Sequence, residues 1–285
     1  MKKEKRFLWF PLAATLTLIS CGGEKPSDNH PDTLHDTLIT TNTEDSVHYL
    51  FKRMVATLPV PFEIMKKFEG ANLPFNGSVL CNPDNAGKFN SASAQAINLG
   101  VFGADMSYLI SQNHLGESAP YLKGVRKLSD NIVVPSAFDE GLIGRYESNM
   151  SQKDSLQRLM HTSYKRIDST LQENDRLALA SLVLAGGWLE SIYITTQHIA
   201  EQQQNEKNKV LYDMLAIQNP YVTRLSDLLG RFTSDSLCIS LHRDMEDLKK
   251  VTPPGPDIPP DQFANQLTMF RTKIADIRNK YVRVQ

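Results

Sequence analysis

Apolar residues recur along most of this chain at spacings of three and four, the period of an α-helix with one face turned inward. Val47, Leu50, Phe51, Met54, Val55 and Leu58 predict a first helix, which Pro59 and Pro61 stop. A short helix over Phe62–Phe68 leads to a loop over residues 70–88 that is rich in Gly, Asn and Pro. Tyr121, Val125, Leu128 and Ile132 predict another helix. The next is capped by Ser136 with Asp139 and carries Phe138, Leu142, Ile143 and Tyr146. Ser151 with Asp154 opens a helix bearing Leu156, Leu159, Met160, Ile167 and Leu171, and residues 173–175 form a tight turn after it. A polar run over residues 201–209 reads as exposed. Asn219 and Pro220 begin a helix with Val222, Leu225, Leu228, Leu229 and Phe232 inward, and Leu237, Leu241, Met245 and Leu248 mark another. The connector TPPGPDIPPD, within residues 251–261, precedes a last helix aligned by Phe263, Leu267, Phe270, Ile274 and Ile277. No alternating strand with hairpin chemistry interrupts the series. The expected fold is all-α, one domain of roughly nine to eleven helices.

Two stretches depart from the one-sided pattern. Residues 177–200, LALASLVLAGGWLESIYITTQHIA, are apolar on nearly every face, so this helix must be buried on every side and the others must pack around it. Residues 91–112 carry Ala92, Ala96, Gly100, Gly103, Ala104 and Ser107 as a stripe of small side chains. An interior glycine costs a helix about 1 kcal/mol, so the stripe implies a close helix contact. Gly186 and Gly187 are the expected partners of Gly100 and Gly103.

The first residues change the picture from a soluble bundle to an anchored one. Lys2, Lys3, Lys5 and Arg6 precede an apolar run over Phe7–Ile19, too short to span a bilayer stably and suited to a cleaved signal. Leu18-Ile19-Ser20-Cys21 resembles the lipobox of bacterial lipoprotein precursors, with Gly22-Gly23 behind it. That resemblance implies a signal peptide over residues 1–20 and diacylglyceryl attachment at Cys21. Each buried acyl methylene contributes about 0.8 kcal/mol, so several chains hold the protein to a membrane without spanning it. Residues 21–44 read as a lipidated flexible tether and residues 45–285 as the helical domain. Gly22 is not the aspartate that retains enteric lipoproteins at the inner membrane, so the outer membrane is the expected address, on its periplasmic or surface face. Acid–hydroxyl–apolar triplets begin at Asp32, Asp36 and Asp45 and again at Asp154, Asp168 and Asp235. They suit periplasmic O-glycosylation in the tether and helix caps in the domain.

Charge narrows the partners. The formal net charge of −1 becomes −4 once residues 1–20, with four basic side chains and one acid, are removed. A mildly acidic body with no basic excess excludes nucleic acid as a partner. The expected partners are the membrane, through Cys21, and an envelope protein or a small ligand. Cys81 and Cys238 remain in an oxidising compartment, as a disulfide or as two separate thiols.

Catalytic signatures are missing from the sequence: no G-x-S-x-G elbow, phosphate loop, dinucleotide fingerprint or H-E-x-x-H occurs. His114-x-x-Glu117 and His242-x-Asp244-x-Glu246 bring potential metal ligands together, but satisfied surface groups explain them better, and no metal or cofactor is expected. What remains lies on the two unusual helices: Asp105, Tyr108, Trp188, Glu190 and Tyr193. An acid in an apolar helix is costly unless paired. Arg126, Arg145 or Arg176 could supply that pairing, or the acids could line a small ligand pocket rimmed by aromatics.

LGVFGADMSY, SAFDE and AGGWLESIYI (residues 99–108, 136–140 and 185–194) resemble segments of uncharacterised all-helical lipoproteins of Gram-negative bacteria. The resemblance implies an envelope lipoprotein and no particular activity. The expected function is binding or accessory, with a structural scaffold, or an enzyme using an unrecognised helical site, as the alternatives.

Overall fold

Two helices cross so closely that a backbone carbonyl of each fills the place of a side chain on the other. They are α4 (Ala92–Ser111) and α8 (Leu177–Ile199), the stripe of small residues and the all-apolar stretch of the sequence. A Cβ added at Gly100 would stand 2.1 Å from the Val183 carbonyl oxygen, and one at Gly186 would stand 2.0 Å from that of Ile97. Only glycine permits that approach, and the contact repays its low helix propensity. Val101, Phe102, Met106, Leu182, Trp188, Leu189 and Ile192 are fully buried around the crossing.

The computed structural model describes residues 43–71, 73–132, 140–173, 175–200, 202–255 and 259–283. All regular structure among these residues is helical, so the fold is an all-α multi-helix bundle about a buried central helix. Cys21, the tether up to residue 42, Ser136 and Asp139 lie outside the described residues, as does the side chain of Asp168, while residues 43 and 44 already belong to the first helix.

The remaining helices wrap the central pair. α1 (Thr43–Thr57), α2 (Pro61–Lys66), the single turn α3 (Phe68–Ala71), α5 (Ala119–Asn131) and α6 (Glu140–Ser148) follow the expected periodicity. So do α7 (Lys153–Glu173), α10 (Asn219–Leu229), α11 (Ser236–Lys249) and α12 (Pro260–Val282). Two 3-10 turns, at Gly77–Val79 and Pro83–Gly87, organise the Gly/Asn/Pro-rich loop. Asn76 and Asn82 cap them by accepting from the amides of Ser78 and Asp84. Asp175 takes a left-handed backbone with φ 53° in the turn between α7 and α8.

Several local expectations hold and others need correction. Ser91 caps α4 through the Ala94 amide, and Asp235 caps α11 through the amides of Leu237 and Cys238, the cap role expected of its triplet. Asn219 does not cap α10; Gln218 precedes that helix, and its side chain turns into the core instead. α9 (Lys209–Ala216) follows the polar run, over residues for which no helix was expected. α8 is the one helix among the described residues long and apolar enough to cross a membrane, and 78% of its most apolar window is buried within the protein. It is a core helix.

Candidate functional site

The acid inside the apolar central helix finds its partner 88 residues away. Glu190 is fully buried, and Arg278 of α12 reaches it with both faces of its fork: Nε donates to Oε2 and Nη2 to Oε1, each at 2.8 Å. Nη2 also donates to the Val79 carbonyl at 3.1 Å and approaches Cys81 Sγ at 2.9 Å. The Arg278 guanidinium lies 4.5 Å from the centroid of the Tyr193 ring. One side chain of α12 thereby ties the central helix to the loop before α4.

Asp105 completes this cluster from α4. Its Oδ2 accepts from the Cys81 amide at 3.1 Å, and its Oδ1 receives no donor. Burial, and then the neighbouring Glu190, push the Asp105 carboxyl well above the usual range. Both causes favour the neutral carboxyl, and a protonated Asp105 beside the Glu190–Arg278 pair makes the group charge-neutral. Burial likewise pushes the Cys81 thiol up, aided by Glu190 and Asp105. Cys81 Sγ and one oxygen each of Asp105 and Glu190 lie within 4.8 Å of one another, the only such group of potential metal ligands among the described residues. A thiol held protonated is a poor metal ligand, and a guanidinium already supplies the positive charge. This is a closed ionic cluster, and Arg126, Arg145 and Arg176 take no part in it. Arg126 pairs with Asp130, while Arg145 and Arg176 donate to the carbonyls of Gly141 and Ile132.

The other polar group of the two central helices is open on one side. Tyr108 Oη lies 2.7 Å from His198 Nε2 and accepts from the Asn76 amide at 3.0 Å. With the amide as donor, the phenol proton has one acceptor, His198 Nε2, so the neutral imidazole carries its own proton on Nδ1. Burial holds the His198 pKa down to about 4 and raises that of Tyr108 to about 12, so both are neutral at pH 7. Phe68 meets the edges of both rings at 5.6 and 5.2 Å, and Phe75 stacks on Tyr108 at 5.6 Å and on His114 at 3.6 Å. These contacts fix the imidazole plane.

Beyond His198 opens a polar cavity of about 300 Å³, lined among others by Asn76, Ser78, Tyr193, Gln197, His198 and Arg271. His198 Nδ1, the Tyr193 hydroxyl and the Gln197 amide have no hydrogen-bond partner among the described residues. A hollow with convergent unpaired polar groups beside a rigid aromatic cluster has the character of a ligand site.

The five residues read from the sequence thus divide. Asp105 and Glu190 belong to the closed cluster; Tyr193 covers Arg278 with its ring and also lines the cavity; Tyr108 bonds His198. Trp188 is elsewhere in the core, donating to Gln218 Oε1 at 2.9 Å, and is corrected to a packing residue. His198, Gln197, Arg271 and Arg278 were missed. The small-residue contact holds for Gly100 with Gly186 and Gly187. Gly103 instead faces the Tyr164 hydroxyl of α7, 2.1 Å from where its Cβ would stand, and Gly187 also packs on Pro61. His114 pairs with Glu117 at 2.6 Å. His242 and Glu246 both turn to the Ser226 hydroxyl, while Asp244 takes Lys280 and Tyr281. Cys81 and Cys238 are separate buried thiols.

The sequence matches no family model, and neither the curated proteins nor the solved structures contain a match.

Proposed function

We propose that this protein is a lipid-anchored binding protein of the bacterial cell envelope, held to the outer membrane through Cys21, whose ligand occupies the cavity beside His198 and Tyr193. The observation that carries the binding reading is His198: a ring held by Tyr108 through Nε2 that lines a hollow, with no partner for Nδ1 among the described residues. An unused donor at a nearly buried position is costly unless water or a ligand meets it. The anchor rests on the sequence of residues 2–23.

Two experiments test the two halves. Processing should be blocked by globomycin, the inhibitor of lipoprotein signal peptidase, and Cys21→Ala should move the protein from the membrane fraction to the soluble one; a variant still fractionating with membranes removes the anchor. A thermal-shift screen of the mature protein against small polar solutes should return stabilising compounds whose effect Gln197→Leu reduces.

A scaffold role is the second reading, favoured by one surface. The half-buried Phe263 and Leu267 of α12 and Tyr212 and Ala216 of α9 border a cavity of about 470 Å³. Leu267→Glu should abolish binding to an envelope partner and leave the thermal shifts intact if that reading is right.

A further inference from the structure

The charges around the cavity decide which chemistry fits it. Arg271, about two helical turns before Arg278 on α12, lines the cavity half-buried and makes no ion pair among the described residues. No carboxylate lines the cavity among the described residues. Glu190 and Asp105, behind the Tyr193 ring, form a group with Arg278 whose charge the guanidinium offsets, and Asp213, paired with Lys209, lines the adjoining cavity that shares Arg271. Neutral residues that line it carry donors: His198 at Nδ1, Tyr193 in its hydroxyl, Gln197 in its amide. Ser78 is turned to Asn76, donating its hydroxyl to Oδ1 at 2.6 Å, which leaves its lone pairs as the minority acceptors. One unpaired guanidinium with three uncharged donors is the complement of an oxyanion.

We infer that the cavity binds the oxyanion group of a small molecule, a phosphate or carboxylate, with Arg271 as its counter-charge and His198 Nδ1–H, Tyr193 Oη–H and Gln197 as its fixed donors. The inference rests on the binding reading above and adds the ligand's charge. A volume of about 300 Å³ admits the anionic group with a short organic remainder, at the lower end of small-molecule sites. His198 selects against cations, because it has no outward lone pair: Nε2, its one acceptor, is occupied by Tyr108. The phosphate could belong to a soluble metabolite or to a lipid headgroup, and both present the same oxygens.

The test uses the full mature chain carrying Cys21→Ala, at constant ionic strength in chloride. Inorganic phosphate, glycerol 3-phosphate and succinate are titrated calorimetrically, with glycerol and choline as neutral and cationic probes. Vesicles of phosphatidylglycerol, against phosphatidylcholine, form the lipid arm. At least one anionic probe should bind, and Arg271→Gln should weaken it roughly tenfold or more, the size of a charge-assisted hydrogen bond. Tyr193→Phe, which keeps the ring over Arg278, should weaken it by a smaller factor, and Lys250→Gln, at an exposed lysine outside the cavity lining, should change nothing. In nitrogen-15 spectra the bound anion should move the His198 Nδ1 resonance and leave His161 in place. Binding to anionic vesicles alone, lost in Arg271→Gln, assigns the oxyanion to a lipid headgroup and upholds the inference. Equal losses in Arg271→Gln and Lys250→Gln, or an unmoved His198, overturn it. If glycerol or choline binds where no anion does, and Gln197→Leu removes that binding, the charge assignment falls while the cavity's role stands. If no probe of any class binds, both fall.

Discussion

Glu190 and His198 stand on one helix, eight residues apart, and end in opposite circumstances. Both oxygens of Glu190 are answered from within the chain: Arg278 grips the two of them and Cys81 closes the side, and Asp105 Oδ1 alone among the cluster's oxygens lacks a partner. His198 is answered on one nitrogen only, by Tyr108, and its other nitrogen faces a cavity. The difference teaches where to look for function in a buried polar network. An expensive acid was the more conspicuous feature, yet its costs are met internally, and a buried ion pair that is complete is a structural device. A neutral ring with one bond too few is the better guide to a ligand.

That contrast can be broken first at the scaffold both groups share. Gly100→Leu forces a side chain into the Val183 carbonyl and should destabilise by about 3 kcal/mol or more in urea unfolding, taking both clusters with it. A neutral result would mean that the two helices part at no cost, and the shared scaffold would be lost as an explanation.

Removing the cation from the closed cluster comes next. Arg278→Met leaves Glu190 buried without a counter-charge and should cost about 3–5 kcal/mol. In the double variant Arg278→Met/Glu190→Leu much of that loss should return, so a double-mutant cycle with no coupling would refute the closed-pair account.

The two regions should also differ in the sign of their pH response. The Asp105 carboxyl is raised by burial and by Glu190, so the unfolded chain releases its proton first as pH rises above about 4. Stability from this group is full below that pH and declines above it. Asp105→Asn, which keeps an N–H donor towards Glu190, should therefore flatten the decline and be neutral or stabilising at pH 7, with the advantage vanishing near pH 3.5. His198 runs the other way. Its pKa is lowered by burial to about 4, so stability is full above the unfolded value of about 6.5 and is lost as pH falls towards 4. Against His198→Gln the wild type should lose roughly 1–2 kcal/mol across that window, after allowance for screening through the cavity. Urea midpoints taken from pH 3.5 to 8 distinguish the two slopes; slopes of the same sign would end the comparison.

How much of this was legible beforehand depends on the range of the interaction. The central helix could be read because burial on all faces is written locally in its composition, and the small stripe of α4 because backbone approach demands it residue by residue. The Glu190 partner lay 88 positions downstream and could not be reached from spacing alone. A signal did exist: Phe270, Ile274 and Arg278 form one row at i, i+4 and i+8, with Arg278 where an apolar residue was due. Glu190, Ile194 and His198 form the same kind of row on α8. A polar residue that continues an apolar row marks an internal contact, which turns the search to its distant complement. α9 escaped because eight residues after a polar run are too few for periodicity to declare itself.

Arg278 imposes an order of events on the chain's birth. It belongs to α12, and the acid it neutralises and the loop it fastens are made before it. Until α12 has been made, Glu190 lacks its cation and the cluster cannot close. The nascent protein must therefore be handed over unfinished, and a truncation of α12 alone should leave a chain that is recognised as incomplete and degraded.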